Sequence, residues 1–220
     1  ALCDQVAPLL KNCQQQKITY TYAKNTNRLE TVNSPNLPQT SYTYGDEAEC
    51  ENPKNARGRI CQITDNAGII QKTYGRLGEV LKTTRVTEGA PWLVAHHEFT
   101  TEFVYDSFGR MLHLTYPDLE RLSYKYDAGG QVKQVTGKKA NKVTTYVEDI
   151  HYNEFGQRVW MQYGNGVVNQ WEYEPETRRL HNKTIGIKPV GLKLTEAYRS
   201  VQYEYDQTDN VLKTLDRRSY

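Results

Sequence analysis

Hydrophobic and polar positions along this chain alternate in short runs and then break at turn formers. At Thr19-Tyr20-Thr21-Tyr22, Ser41-Tyr42-Thr43-Tyr44 and Ser123-Tyr124-Lys125-Tyr126 the aromatic residues recur at every second position. Side chains alternate across a strand, so each Tyr-x-Tyr places two rings on one face. Eight segments share one template: an aromatic residue, any residue, Tyr, an acidic or small residue, a short turn, then a polar and an aliphatic residue. The fullest copies run Phe103 to Met111, Tyr124 to Val132, Ile150 to Gln157 and Tyr203 to Val211. Shorter matches lie at Tyr20–Tyr22, Tyr42–Tyr44, Lys72–Val80 and Trp171–Glu174. The second tyrosines are Tyr22, Tyr44, Tyr74, Tyr105, Tyr126, Tyr152, Tyr173 and Tyr205, spaced 22, 30, 31, 21, 26, 21 and 32 residues apart. The period is a unit of about 21 residues with insertions, which marks a repeat architecture.

One unit is readable from its chemistry. Asp106, Asp127, Asn153 or Asp206 follows the tyrosine, and such a side chain bonds backbone N–H groups two residues on, which begins a turn. Gly78, Gly109, Gly130 or Gly156 stands four positions after the tyrosine, where a positive φ is needed. Arg110 and its equivalents then lead into the next strand, as in Met111-Leu112-His113-Leu114-Thr115-Tyr116. Pro117-Asp118-Leu119-Glu120 breaks that strand, and Asn165-Gly166 is a hairpin signal for the return after Tyr163. Each unit is therefore a strand, a tight turn and a strand. Thr26, Thr177 and Asp209 stand where Gly is expected, and Gly75 replaces the acidic residue, so those turns are expected to be longer or differently shaped. Helical periodicity is confined to residues 2–14, where Pro8 weakens it.

Composition shifts this picture away from a solid core. With Gly counted and Tyr left out, the apolar set is about 36% of the 220 residues, below the roughly 45–50% of an ordinary domain. Tyrosine has replaced the missing mass, with 17 Tyr against 4 Phe, and its hydroxyl suits a ring that is packed on one side and wet on the other. The net charge of +2 and the regular patterning argue against disorder. The longest apolar stretch, around Val6–Leu10, is far too short to insert in a membrane. The basic run Gly137–Lys142 reads as a solvated turn, so no nucleic-acid partner is expected. The chain starts at Ala1 rather than Met, which reads as a processed product or a piece of something longer.

Candidate chemistry is sparse. The tyrosines read as cross-strand packing pairs, with ligand stacking as the competing role. Cys3 with Cys13 and Cys50 with Cys61 form two local pairs, neither at zinc spacing. A disulfide between Cys50 and Cys61 closes a loop rich in turn formers, is worth about 3 kcal/mol and implies an oxidising destination; free thiols in a stored cytosolic protein are the alternative. Adjacent His96 and His97 point to opposite faces of a strand and do not share a metal, and His113, His151 and His181 are scattered. No nucleophile, base and orienter stand together, so neither catalysis, cofactor nor metal is expected. Asp65-Asn66-Ala67-Gly68 lacks the spaced carboxylates of a calcium loop and reads as a turn.

The Tyr105-Asp106-x-x-Gly109-Arg110 pattern, Arg57-Gly58-Arg59-Ile60 with Thr64-Asp65, and Tyr163-Gly164-Asn165-Gly166 resemble the Rhs (YD-repeat) proteins, from about Tyr20 to Asp216. The reading is an all-β array of hairpins in one continuous twisted sheet, with residues 1–19 leading into an array over residues 20–220. The resemblance implies that the sheet curls into part of a hollow shell. The Asp-Pro-x-Gly block that closes the core of many relatives is absent, which implies an interior portion. By resemblance the shell sequesters a C-terminal polypeptide toxin, with the rest of its own polypeptide, or a neighbouring shell chain, covering the open edges. Delivery to target cells outside the producer is implied, after storage in the producer's cytoplasm. The alternative is an extracellular adhesion or carbohydrate-binding module, as in teneurin-like relatives.

Overall fold

The structure is a computed structural model and describes residues 17–35, 37–47, 50, 53–87 and 97–218. Cys3, Cys13 and His96 lie outside the described residues, as does the short helical pattern of residues 2–14. Among the described residues there are sixteen strands, consecutive strands pair wherever a register is given, and every such pair is antiparallel. No helix occurs among the described residues. This is the all-β, two-strands-per-unit arrangement that the tyrosine spacing predicts.

The chain divides into two compact units, residues 1–103 and 104–220. The first holds β1 (Thr19–Tyr22), β2 (Leu29–Asn33), β3 (Thr40–Tyr44), β4 (Ile60–Asp65), β5 (Gly68–Tyr74), β6 (Val80–Thr87) and most of β7 (His97–Tyr105). Its register lays a row of hydroxyls and amides across successive strands: Thr43 lies opposite Gln62, Gln62 opposite Gln71, Gln71 opposite Thr84 and Thr84 opposite Thr100. These side chains bond one another, Gln71 donating to Gln62 at 3.4 Å and the Thr84 and Thr100 hydroxyls meeting at 3.2 Å. The adjacent positions, Tyr42, Ile63 and Ile70, face the other way.

The second unit holds β8 (Met111–Thr115), β9 (Arg121–Tyr126), β10 (Val132–Lys139), β11 (Lys142–Tyr152), β12 (Arg158–Tyr163), β13 (Val168–Tyr173), β14 (Leu180–Val190), β15 (Lys193–Tyr205) and β16 (Val211–Arg218). A similar row runs Gln170, Thr184, Ser200. The hairpin at Asn165-Gly166 has Gly166 at φ 83° while Asn165 keeps an ordinary negative φ, and Tyr163 N–H donates to Val167 O at 2.8 Å. Only the second of the two central residues is left-handed, because the loop is one residue longer than the two-residue form.

Among the described residues, the buried apolar side chains are Tyr44, Cys50, Ala56 and Cys61 in the first unit and Val147, Ile150, Trp160 and Val168 in the second. So few buried apolar side chains among the described residues match the low apolar fraction, and most side chains of the strands are only half-buried. Stability here comes from strand-to-strand joints more than from a core.

Candidate functional site: the tyrosine-latched turns

Every tyrosine of the repeat ends a strand and enters a turn closed from both sides. At Tyr105–Met111, Asp106 N–H donates to Arg110 O (2.9 Å) and Gly109 N–H to Asp106 O (3.1 Å). The Asp106 carboxylate accepts from the N–H groups of Phe108 and Arg110, both at 2.9 Å, and from Arg110 Nε at 2.7 Å. Asn153 and Asp206 accept in the same way from the second and fourth residues on, and Asp127 from Gln131 N–H. Gly78, Gly109, Gly130 and Gly156 hold φ between 75° and 87°. Against desolvation, hydrogen bonds from Arg110 and Phe108 hold the Asp106 carboxyl below its usual range. For Asp206 the Asn210 side chain and N–H lead, and the pKa falls to about 2.

The turns that depart from the template do so in three ways. Those at Thr26 and Thr177 are one residue longer, closed by Ala23 N–H to Arg28 O and Glu174 N–H to Arg179 O, so the left-handed residue is Asn27 or Arg178. The turn with Asp209 keeps the ordinary length, and Asp209 itself adopts φ 70°, so the lost Gly changes the residue and not the shape. In the Gly75 turn the carboxylate arrives from the other end: Glu79 accepts from Leu77 N–H at 2.9 Å and occupies the space a side chain on Gly75 would need.

The second tyrosine of each pair does more than pack. In six of the eight, its hydroxyl donates to the carbonyl of the first residue of the preceding strand. The pairs are Tyr44 to Leu29 (3.0 Å), Tyr74 to Ile60 (2.7 Å), Tyr126 to Met111 (2.6 Å), Tyr152 to Val132 (2.8 Å), Tyr173 to Arg158 (3.0 Å) and Tyr205 to Leu180 (3.0 Å). Each acceptor directly follows the previous tyrosine turn, so every bond fastens one turn to the one before. Burial pushes these hydroxyls above the usual tyrosine pKa, against neighbouring arginines, which keeps them protonated as donors. The residue that leaves five of these turns reaches forward in return. Arg28, Arg59, Arg110 and Arg179 lie over the rings of Tyr44, Tyr74, Tyr126 and Tyr205 at 5.1, 5.9, 4.7 and 5.7 Å. Gln157 instead donates to Arg178 O at 2.9 Å. The template marked this position only as polar; its forward reach depends on strand pairing, which spacing alone does not convey.

Tyr22 ends β1 and is 57% exposed. Cys50 and Cys61 are joined in a disulfide with Cα atoms 6.1 Å apart and cluster with Ala56 against Tyr74. The remaining chemistry is local: His113 Nδ1 lies 3.0 Å from Ser123 Oγ, and His151 Nε2 lies 2.7 Å from Asp149. Among the described residues no three His, Cys, Asp or Glu side chains are grouped to hold a metal.

No protein-family model matches the chain. It is 32% identical over 136 residues to toxin subunit YenC1 of Yersinia entomophaga, covering 58% of this chain and 13% of YenC1. Toxin subunit YenC2 of the same organism is 27% identical over 208 residues, 83% of this chain and 21% of YenC2. A crystal structure of TcdB2-TccC3 superposes with a TM-score of 0.72 at 22% identity over 93% of this chain and 11% of that one. A Photorhabdus luminescens Tc holotoxin pore with the mutation TccC3-D651A gives 0.71, also at 22%, over 93% of this chain and 10% of its own. The chain resembles the Rhs-type YD-repeat proteins in its repeat, these toxin subunits in sequence and TcdB2-TccC3 in fold. The array spans about a tenth to a fifth of each relative it matches, and the likeness to the solved structures shows the shared all-β fold.

Proposed function

We propose that this array is a wall segment of an Rhs-type shell that sequesters a polypeptide toxin for delivery, and that the segment itself performs no catalysis. The observation that carries the reading is the latched turn, repeated joint after joint along the chain. A binding protein or enzyme concentrates its chemistry in one pocket. Here the distinctive residues are spread evenly along the chain and are used up in holding hairpin to hairpin, as a barrier requires. The similarity to toxin subunits supports a toxin as the cargo, and in this reading the rest of the polypeptide and a C-terminal toxin are the partners. The Cys50–Cys61 disulfide suits an oxidising destination outside the cytosol.

Limited proteolysis of the full-length polypeptide tests the reading. The toxin segment should resist digestion in the wild type and become cleavable when Tyr126→Ala and Tyr152→Ala open two joints. Equal sensitivity in both proteins defeats containment. Saturable binding of a glycan by the array alone transfers support to the adhesion alternative.

A further inference from the structure

One joint of the array carries a covalent clamp. Of the six hydroxyl latches, only that of Tyr74 ends beside a cysteine: its acceptor, Ile60, adjoins Cys61, which is bridged to Cys50. The Tyr74 ring packs against the cluster of Cys50, Ala56 and Cys61, Asn55 Nδ2 donates to Tyr74 O at 3.2 Å, and the Arg59 guanidinium lies over the ring. Asn55, Ala56, Arg59 and Ile60 therefore all bear on one tyrosine. The backbone of this stretch is tied down, with Arg59 N–H donating to Ala56 O at 2.7 Å and Gly45 N–H to Arg59 O at 3.0 Å, although Lys54, Arg57 and Arg59 are themselves exposed. A polar cavity of about 90 Å³ borders both cysteines, with Gln62, Gln71, Thr84 and the cationic Lys72 and Lys82 around it. Cationic neighbours lower the pKa of a thiol, and a cysteine of lower pKa leaves faster in exchange.

We propose that Cys50–Cys61 is a thiol-exchange site for an anionic thiol of the glutathione class, and that its reduction unfastens the Tyr74 joint while the other joints stay shut. The thiolate attacks one sulfur and forms a mixed disulfide, while the second cysteine leaves as a thiolate and takes a proton from water. A second thiolate then displaces the first cysteine, so two thiols are oxidised to their disulfide and the two cysteines gain two electrons. Lys72 and Lys82 attract the carboxylates of such a thiol and favour each departing thiolate. With the bridge gone, nothing covalent holds residues 55–60 on Tyr74, and the loop opens far enough for a protease to grip its backbone. The site rests on the bridge and its surroundings, so it stands or falls apart from the containment of a toxin.

Trypsin treatment of the full-length polypeptide, with the cuts mapped by mass, tests the site. Cleavage after Lys54, Arg57 or Arg59 should quicken about a hundred-fold with reduced glutathione, the loop-closure stabilisation of so short a bridge, and not at all with glutathione disulfide. Acetylation of the Tyr74 hydroxyl by N-acetylimidazole should rise in step, with that of Tyr126 unchanged. The double variant Cys50→Ser with Cys61→Ser should be cut at the fast rate with or without the thiol. A bridge that glutathione leaves intact, a reduced loop that trypsin cuts no faster, or Tyr126 loosening together with Tyr74 overturns the proposal.

Discussion

The turn from Tyr44 to Ile60 and the turn from Tyr126 to Val132 do the same job with very different lengths of chain. The short one closes with Asp127 N–H on Gln131 O at 2.8 Å; the long one closes with Gly45 N–H on Arg59 O at 3.0 Å around an inserted loop. Both tyrosines latch backward, and both have an arginine of the preceding turn above the ring. The joint is therefore defined by its two ends, and what lies between them is free to vary. An insertion must still stabilise itself. This one does so with its own small core of Cys50, Ala56 and Cys61 and with Arg28 to Asp46, where the guanidinium holds the Asp46 carboxyl below its usual range.

Three experiments separate the inserted turn from the short tyrosine turns, and the largest effect comes from the disulfide. Replacing Cys50 and Cys61 by Ser should cost about 3 kcal/mol of loop-closure stabilisation. Hydrogen exchange should localise the loss to amides around residues 45–62 and leave 127–131 protected. Equal loosening of both turns would show that the insert is no local staple.

Glycine replacements give the next effect. A Cβ on Gly45 would lie 2.3 Å from the Ala56 Cβ and 2.4 Å from its backbone, so Gly45→Ala should destabilise by up to about 3 kcal/mol through overpacking. Gly109 has nothing within 4 Å of the same position, so Gly109→Ala meets only the cost of φ 77°, about 1–2 kcal/mol. Denaturant midpoints that rank the pair the other way would mean that the inserted loop yields easily.

Acid gives the smallest effect. The folded pKa of Asp206 lies near 2, below the ordinary value of about 3.9. Its contribution is therefore full above the ordinary value and is lost as pH falls through about 2. Amide exchange at residues 206–210 should rise over that interval, while the Cys50–Cys61 clamp, which does not titrate, holds its loop. Unchanged exchange in the Asp206 turn down to pH 2 would show that its carboxylate does not hold it shut.

Much of this was legible in the sequence because the repeat rests on local rules. Alternation gave the strands, Asp106 and Gly109 their turn, and eight tyrosines the count of sixteen strands. What resisted reading depended on the neighbouring hairpin. The acceptor of Tyr152 lies 20 residues back and that of Tyr205 lies 25 back, and only strand pairing reveals that both are the same kind of position. Gly75 looked like a defect because its compensation, Glu79, comes from the far side of the turn. Asp209 looked like another, although a left-handed Asp serves there in place of glycine.

The direction of the latches bears on how such a chain is made. Each of the six latched tyrosines reaches back 14 to 25 residues, always toward the amino terminus. When a hairpin leaves the ribosome, the carbonyl it fastens to has already been synthesised, a few seconds earlier at about 5–20 residues per second. Assembly needs no sequence still to come, and each completed joint leaves a fresh carbonyl for the next tyrosine. The array is built to grow in the order of translation, with its sequence separations short enough to keep pace.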